Sequence, residues 1–330
     1  MSDSVNDVRN RIYEEFGSSE ARYARSNSAH MESVSADKHT ESSIFDEIMA
    51  SHAARTAFFE SPLPHPEKTR IIAVSNQKGG VGKTTSAVNL AAALAEGGLD
   101  TLVIDADPQG NASTALGVQP ESIGVSMYQV LRGENQLSQA IRPVNDSEHL
   151  WVAPSTIELA GIDMDLIGAD EREFRLNAAL NEYLNSDQQN VQYFDYIFID
   201  SPPSLGVLTL NALVAAQEVL IPIQAEYYAL EGLTQLMKTI EKVRASFNSR
   251  LHISTIVLTM FDKRTNLAND VAADVENYFP NELLHTRIPR NVRISEAPSF
   301  GQTVIHYDPR SAGTAAYLRA AQELAQRAQQ

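Results

Sequence analysis

The chain contains no cysteine. That excludes disulfide staples, thiolate-bound zinc and a cysteine-ligated iron–sulfur cluster, and it suits a reducing compartment. No apolar run approaches the roughly 20 residues a membrane-spanning helix needs. The first thirty residues are polar and mixed in charge, without the apolar core of a signal peptide. Basic residues are also scarce: 26 Lys and Arg face 42 Asp and Glu, a formal net charge of −16. A uniformly basic nucleic-acid binder is therefore excluded, and any contact with DNA has to be a local patch. The 330 residues are 43% hydrophobic, enough for one large α/β domain with a tail.

The stretch that is present and carries chemistry is Asn76-Gln-Lys-Gly-Gly-Val-Gly-Lys-Thr-Thr85. It follows an apolar run, Ile71–Val74, and precedes an alanine-rich helical segment, Ser86–Glu96. Strand, glycine-rich turn and helix are the context of a phosphate-binding loop. Gly79, Gly80 and Gly82 let the backbone approach phosphate oxygens, and the amides from Gly79 through Val81 to Thr85 supply donors at a helix N-terminus. Lys83 is expected to neutralise the β and γ phosphates, and the Thr84 hydroxyl to ligate Mg²⁺. Position 77, where the common pattern has its first glycine, is Gln, and a second lysine stands at Lys78. One lysine suffices to hold a phosphate, so the second implies another task.

Residues 1–69 differ from the rest. They are rich in Ser, Glu, Asp, Ala and His, and read as a mostly disordered extension with one short amphipathic helix at 44–59. Pro62, Pro64 and Pro66 mark the expected boundary with a domain at 70–330. There, apolar strands at 101–105, 150–152, 196–199, 218–223 and 252–260 alternate with helical patterns near 126–132, 171–184, 207–216, 228–246 and 267–278. A short strand is expected at 304–306, and a terminal helix from about Ser311. This alternation predicts an α/β fold: a doubly wound, mostly parallel sheet with helices on both faces.

Three further clusters fall at strand ends. Asp105 and Asp107 follow one strand, where ligands bind in open α/β sheets, although Asp-x-Asp alone often only caps a turn. Asp200 ends the strand Tyr196–Ile199, the place of a carboxylate that supports Mg²⁺. Lys263, Arg264, Arg287, Arg290 and Arg293 form a basic cluster in an acidic chain. Such a cluster implies a ligand or local ion pairing with Asp262, Glu282 or Glu296.

The block Lys78-Gly-Gly-Val-Gly-Lys-Thr84 resembles the deviant Walker A motif of the ParA/MinD family of ATPases, and the resemblance runs over nearly all of 70–326. Segments 264–267 and 289–299 look like those of chromosomal, Soj-type ParA proteins. The resemblance implies a P-loop ATPase in which Lys78 reaches the nucleotide of a second protomer, so that ATP and Mg²⁺ are sandwiched in a homodimer. It implies that Asp107 activates the attacking water, and that Met260 and Pro289 lie by the adenine. It also implies that Arg264 and Arg293, with Arg290 beside them, line a surface for non-specific double-stranded DNA. A ParB-like centromere-binding partner would stimulate hydrolysis, and the chain would be cytoplasmic and nucleoid-associated.

The alternatives need features that are weak here. A MinD-like membrane-associated ATPase needs a bulky amphipathic C-terminal helix, whereas 315–330 offers mostly Ala with Leu318 and Leu324. No stable membrane anchor is expected. Other cargo-positioning relatives share every motif. An ATP-dependent synthetase would need an acceptor pocket, and an operator-binding repressor would need two adjacent patterned helices within 1–69.

Overall fold

The computed structural model describes residues 40–186, 192–226 and 229–329. Residues 1–39 of the extension expected over 1–69 lie outside them. A compact unit runs from Ile48 to Gln330, so the expected boundary at 69/70 is displaced toward the N-terminus. Helix α1 (Thr40–Glu60) covers the segment expected at 44–59. Its Phe58, and Leu63 just beyond it, are buried in the same cluster as Leu94 and Ala95 of α2 (Lys83–Glu96). Arg55 also donates to the Pro309 carbonyl at 3.2 Å. The helix ends at Glu60, before Pro62, and two apolar side chains carry the segment into the core.

The sheet has seven strands: β1 (Arg70–Val74), β2 (Thr101–Asp105), β3 (Arg142–Pro143), β4 (Leu150–Ala153), β5 (Tyr196–Asp200), β6 (Glu218–Gln224) and β7 (His252–Thr259). Their order is β3-β4-β2-β5-β1-β6-β7, and every pairing is parallel except β3 with β4. β2 and β5 are buried at every residue. Their continuous apolar runs still alternate between two cores. Leu102, Ile104, Ile197 and Ile199 enter one, with helices α7 (Arg175–Leu184), α8 (Val207–Ala215) and α9 (Ala229–Ser246). Val103, Tyr196 and Phe198 enter the other, with α2 and α13 (Ala312–Gln326).

The second core is alanine-rich. Ala91, Ala92 and Ala95 of α2, and Ala316, Ala320 and Ala321 of α13, are essentially inaccessible to solvent. Small side chains let the two helices and the sheet approach closely, and Leu90 and Leu94 fill the remaining space. Each such leucine contributes about 1.5–3 kcal/mol on burial.

The remaining helices are short or peripheral: α3 (Asn111–Ala115), α4 (Met127–Arg132), α5 (Leu137–Ala140), α6 (Ile162–Asp165), α10 (Asn266–Tyr278), α11 (Val292–Glu296) and α12 (Val304–Tyr307). α12 corrects the strand expected at 304–306. The Val304 N–H donates to Asn89 Oδ1 of α2 at 2.8 Å, and its carbonyl accepts from Thr314 Oγ1 of α13 at 2.8 Å. Side chains therefore take the backbone groups that a strand would offer to a sheet edge. No helix among the described residues is long and apolar enough to cross a membrane.

Register decides what the sheet brings together. Val74 of β1 and Asp105 of β2 both stand opposite Asp200 of β5. Three loops therefore leave the same edge of the sheet side by side.

Candidate nucleotide-binding site

Beyond β1, the chain turns through a loop in which Gly80 and Gly82 have φ of 75° and 87°. At Gly82 a Cβ would meet Thr259 at an ordinary 3.7 Å, so the left-handed backbone rather than space demands glycine. Thr259 Oγ1 at the end of β7 donates to the Val81 carbonyl at 2.8 Å and pins the loop from the side. Gly82 precedes α2, whose first turn carries no acidic residue. The amides there form a ready anion site.

Lys83 is the first residue of that helix and only 7% exposed. Its Nζ donates to the Lys78 carbonyl at 3.3 Å. Burial lowers its pKa, and the nearby carboxylates of Asp200 and Asp107 work in the opposite direction. The amine faces a cleft of about 630 Å³ bordered by Gly80, Thr84, Thr85, Asp107, Pro203 and Met260, with Gly79 and Gly82 in its wall.

Thr84 Oγ1 donates to Asp200 Oδ2 at 2.6 Å. The second oxygen of that carboxylate, Oδ1, is buried without a partner. Burial, reinforced by the Asp105 charge, pushes the Asp200 carboxyl well above the usual carboxylate range. A hydroxyl and a half-satisfied carboxylate beside a phosphate loop fit a divalent cation, which would favour the ionised acid. Thr84 and Asp200 would hold Mg²⁺, directly or through water.

The two aspartates after β2 have different tasks. Asp105 accepts from the Ser113 N–H (2.8 Å), the Ser113 hydroxyl (2.6 Å) and the Asp107 N–H (3.2 Å), so it anchors α3. Its complete burial pushes its pKa up to about 6. Asp107 reaches the cleft wall, and its Oδ1 accepts from the Gln109 N–H at 2.9 Å.

Other expected site residues are dispersed. Lys78 does not line the cleft; its ammonium lies 2.6 Å from Glu226. Val81 contributes backbone. Met260 borders the cleft with φ of 49°, a conformation uncommon outside glycine. Pro289 lies next to it in space through a bridge to Phe261, but is not part of the cleft wall. Arg264 grips Asp262 with two hydrogen bonds (2.9 and 2.7 Å), and Arg293 pairs with Glu296 (2.9 Å) and Asp308 (3.3 Å). Arg290 is exposed and close enough to stabilise the Asp262 charge, while Arg287 covers the Phe261 ring at 4.6 Å. Local ion pairing, one of the two expectations for the cluster, thus describes Arg264 and Arg293 within a single chain. Thr259 and Glu226 were missed by sequence reasoning, because a lone threonine or glutamate at a strand end carries no local signal.

A strand–loop–helix with a buried lysine, whose next residue Thr84 bonds a carboxylate at the end of the neighbouring strand, defines a P-loop nucleotide-binding protein. The AAA domain family matches residues 69–253. The chromosome partitioning protein ParA of Myxococcus xanthus is 48% identical over 258 residues, covering 78% of this chain and 88% of the relative. The sporulation initiation inhibitor protein Soj of Bacillus subtilis is 48% identical over 256 residues, covering 78% and 98%. The crystal structure of cobyrinic acid a,c-diamide synthase from Mycobacterium smegmatis with bound ADP and magnesium is 37% identical with a TM-score of 0.65, covering 78% of this chain and 94% of that one. The chain belongs to the ParA/Soj family of chromosome-partitioning P-loop proteins.

Proposed function

We propose that the protein is an ATP-hydrolysing partitioning switch: ATP with Mg²⁺ joins two protomers, and the dimer holds DNA without sequence preference. The carrying observation is the division of labour between two lysines five residues apart. Lys83 is buried in the cleft, whereas the Lys78 ammonium lies outside its wall, on a half-exposed pair with Glu226 from which it can turn to a second protomer. In this reading the loop amides and Lys83 bind the β and γ phosphates. Thr84 and Asp200 hold Mg²⁺, which neutralises charge between those phosphates. Asp107 orients the attacking water in line with the γ phosphate.

Arg264, Arg290 and Arg293 then form the DNA face. One such patch on an acidic chain binds weakly. Pairing two protomers doubles the phosphate contacts, each of which adds about 0.9 to the slope of log affinity against log salt. A ParB-like partner would release the dimer by accelerating hydrolysis. A synthase reading, prompted by the M. smegmatis relative, needs an acceptor site beside the phosphates. The second described cavity, about 230 Å³ near Gly117, Gly301 and His306, shares no wall residue with the nucleotide cleft.

The test is binding to random-sequence duplex DNA by fluorescence anisotropy, with ATP, ADP or no nucleotide, at two salt concentrations. Tight, steeply salt-dependent binding with ATP alone is expected. Binding indifferent to nucleotide, or absent throughout, would remove DNA from the proposal and turn attention to a membrane or protein surface.

A further inference from the structure

Lys78 is held by one stretch of chain, and it is not the stretch that serves the cleft. Its N–H donates to Asn76 Oδ1 at 3.0 Å, and Asn76 Nδ2 donates to the Pro222 carbonyl of β6 at 2.8 Å. Its neighbour Gln77 reaches Thr239 of α9 through Nε2 at 3.3 Å. Its ammonium contacts Glu226, two residues past the end of β6, at 2.6 Å. The cleft groups answer to other strands: Thr84 to Asp200 on β5, and the Val81 carbonyl to Thr259 on β7. The two ammonium groups therefore have different partners: Glu226 for Lys78, and the Lys78 carbonyl for Lys83.

We propose that Glu226 is a positioning residue that parks the Lys78 ammonium within its own protomer until a second, nucleotide-bound protomer offers it a phosphate. The inference rests on the preceding reading that Lys78 acts across a dimer. Exposure sets the strength of the hold. The Lys78 and Glu226 side chains are 43% and 46% exposed, and an ion pair of that kind biases an equilibrium by only about two- to five-fold. A buried pair would be costly to break and would keep the lysine. A half-exposed one keeps the flexible side chain oriented, yet yields to the several negative oxygens of a polyphosphate. The carboxylate thereby competes with the partner's nucleotide and raises the ATP level at which protomers join.

The experiment follows dimerisation by sedimentation velocity across an ATP titration, in wild type, Glu226→Gln and Glu226→Asp. Glu226→Gln keeps the shape and removes the charge, so its ATP midpoint should fall about two- to five-fold. Glu226→Asp retains the charge and should restore the wild-type midpoint, which a merely structural role of the side chain does not predict. In parallel, peptide-mapped acylation of the nucleotide-free chains should label Lys78 faster in Glu226→Gln, with Lys83 unchanged. A midpoint that stays put or rises in Glu226→Gln, or equal Lys78 labelling, overturns the proposal. Wild-type protein that stays monomeric at saturating ATP would sink the dimer reading instead, and is recognisable because the labelling difference persists.

Discussion

Thr84 Oγ1 donates to Asp200 Oδ2 across 2.6 Å, and the opposite oxygen of that carboxylate is buried without a partner. With Asp105 beside it on the neighbouring strand, Asp200 makes a pair of buried acids at the floor of a phosphate site. Burial raises the proton affinity of both, but Asp105 is satisfied by its three donors, whereas Asp200 Oδ1 lacks a partner within the fold.

The first prediction concerns pH. Burial pushes Asp105 up to about 6 from an ordinary 3.8, and Asp200 moves in the same direction. The folded chain therefore binds protons that the unfolded chain has already released. This contribution is fully present below about pH 4 and is lost as pH rises through about 6. For Asp105 it amounts to about 3 kcal/mol at most. The melting temperature of nucleotide-free, Mg²⁺-free protein should fall between about pH 4 and pH 7, and Asp200→Asn should flatten that fall. A melting curve set that is level across this window contradicts the assignment.

Lys83→Ala should weaken ATP about 100-fold, the scale of a lost hydrogen bond to a charged group in a buried site. Isothermal titration with ATP and Mg²⁺ measures this, and an affinity within a few-fold of wild type would refute the role.

Asp107 has one oxygen engaged by the Gln109 N–H and faces the cleft. Asp107→Ala should leave ATP binding near wild type and slow phosphate release by about 100-fold or more, the typical contribution of a positioned general base. Single-turnover hydrolysis at saturating ATP is the readout, and unchanged turnover removes Asp107 from the mechanism.

The basic face is partly neutralised in the isolated chain. Arg264 holds the Asp262 carboxyl down at about 2, so the two are paired at every physiological pH. Asp262→Asn should free Arg264 and tighten ATP-dependent DNA binding about two- to five-fold. Arg293→Glu should abolish it while sparing dimerisation. Equal DNA affinity in all three proteins would return both arginines to purely local ion pairing.

The N-terminal segment is testable by where it is cut. A chain beginning at residue 48 should melt like the full chain. One beginning at residue 70 loses Phe58 and Leu63, which are buried in the core with Leu94. Each comparable truncation to Ala costs about 2–5 kcal/mol, so this shorter chain should show a clearly lower urea midpoint. Indistinguishable midpoints for the two chains would mean that the burial of Phe58 and Leu63 contributes nothing to stability.

Most of the sheet and the phosphate loop were legible because their signals are local. Apolar runs such as Tyr196–Ile199 become strands wherever a two-sided sheet buries them, and Gly80 and Gly82 report a positive φ before any neighbour is known. Val304–Tyr307 misled because a β-branched pair reads as a strand until Asn89 and Thr314 take its backbone groups. For the basic cluster, Asp262 was one of three acids the sequence offered, and the turn after β7 places it under the Arg264 guanidinium.

By itself, the sequence determined the conformationally demanding pieces: a loop that only glycine tolerates, the helix that follows it, and the alternating strand pattern. The tertiary structure alone decided which distant groups meet. Thr84 and Asp200 are 116 residues apart and touch because β5 lies between β1 and β2 in the sheet. Lys78 and Glu226 are 148 residues apart and meet because β6 flanks β1 on the other side. Local preference writes each side chain's chemistry. Strand order, set by burying two apolar faces at once, chooses its partner.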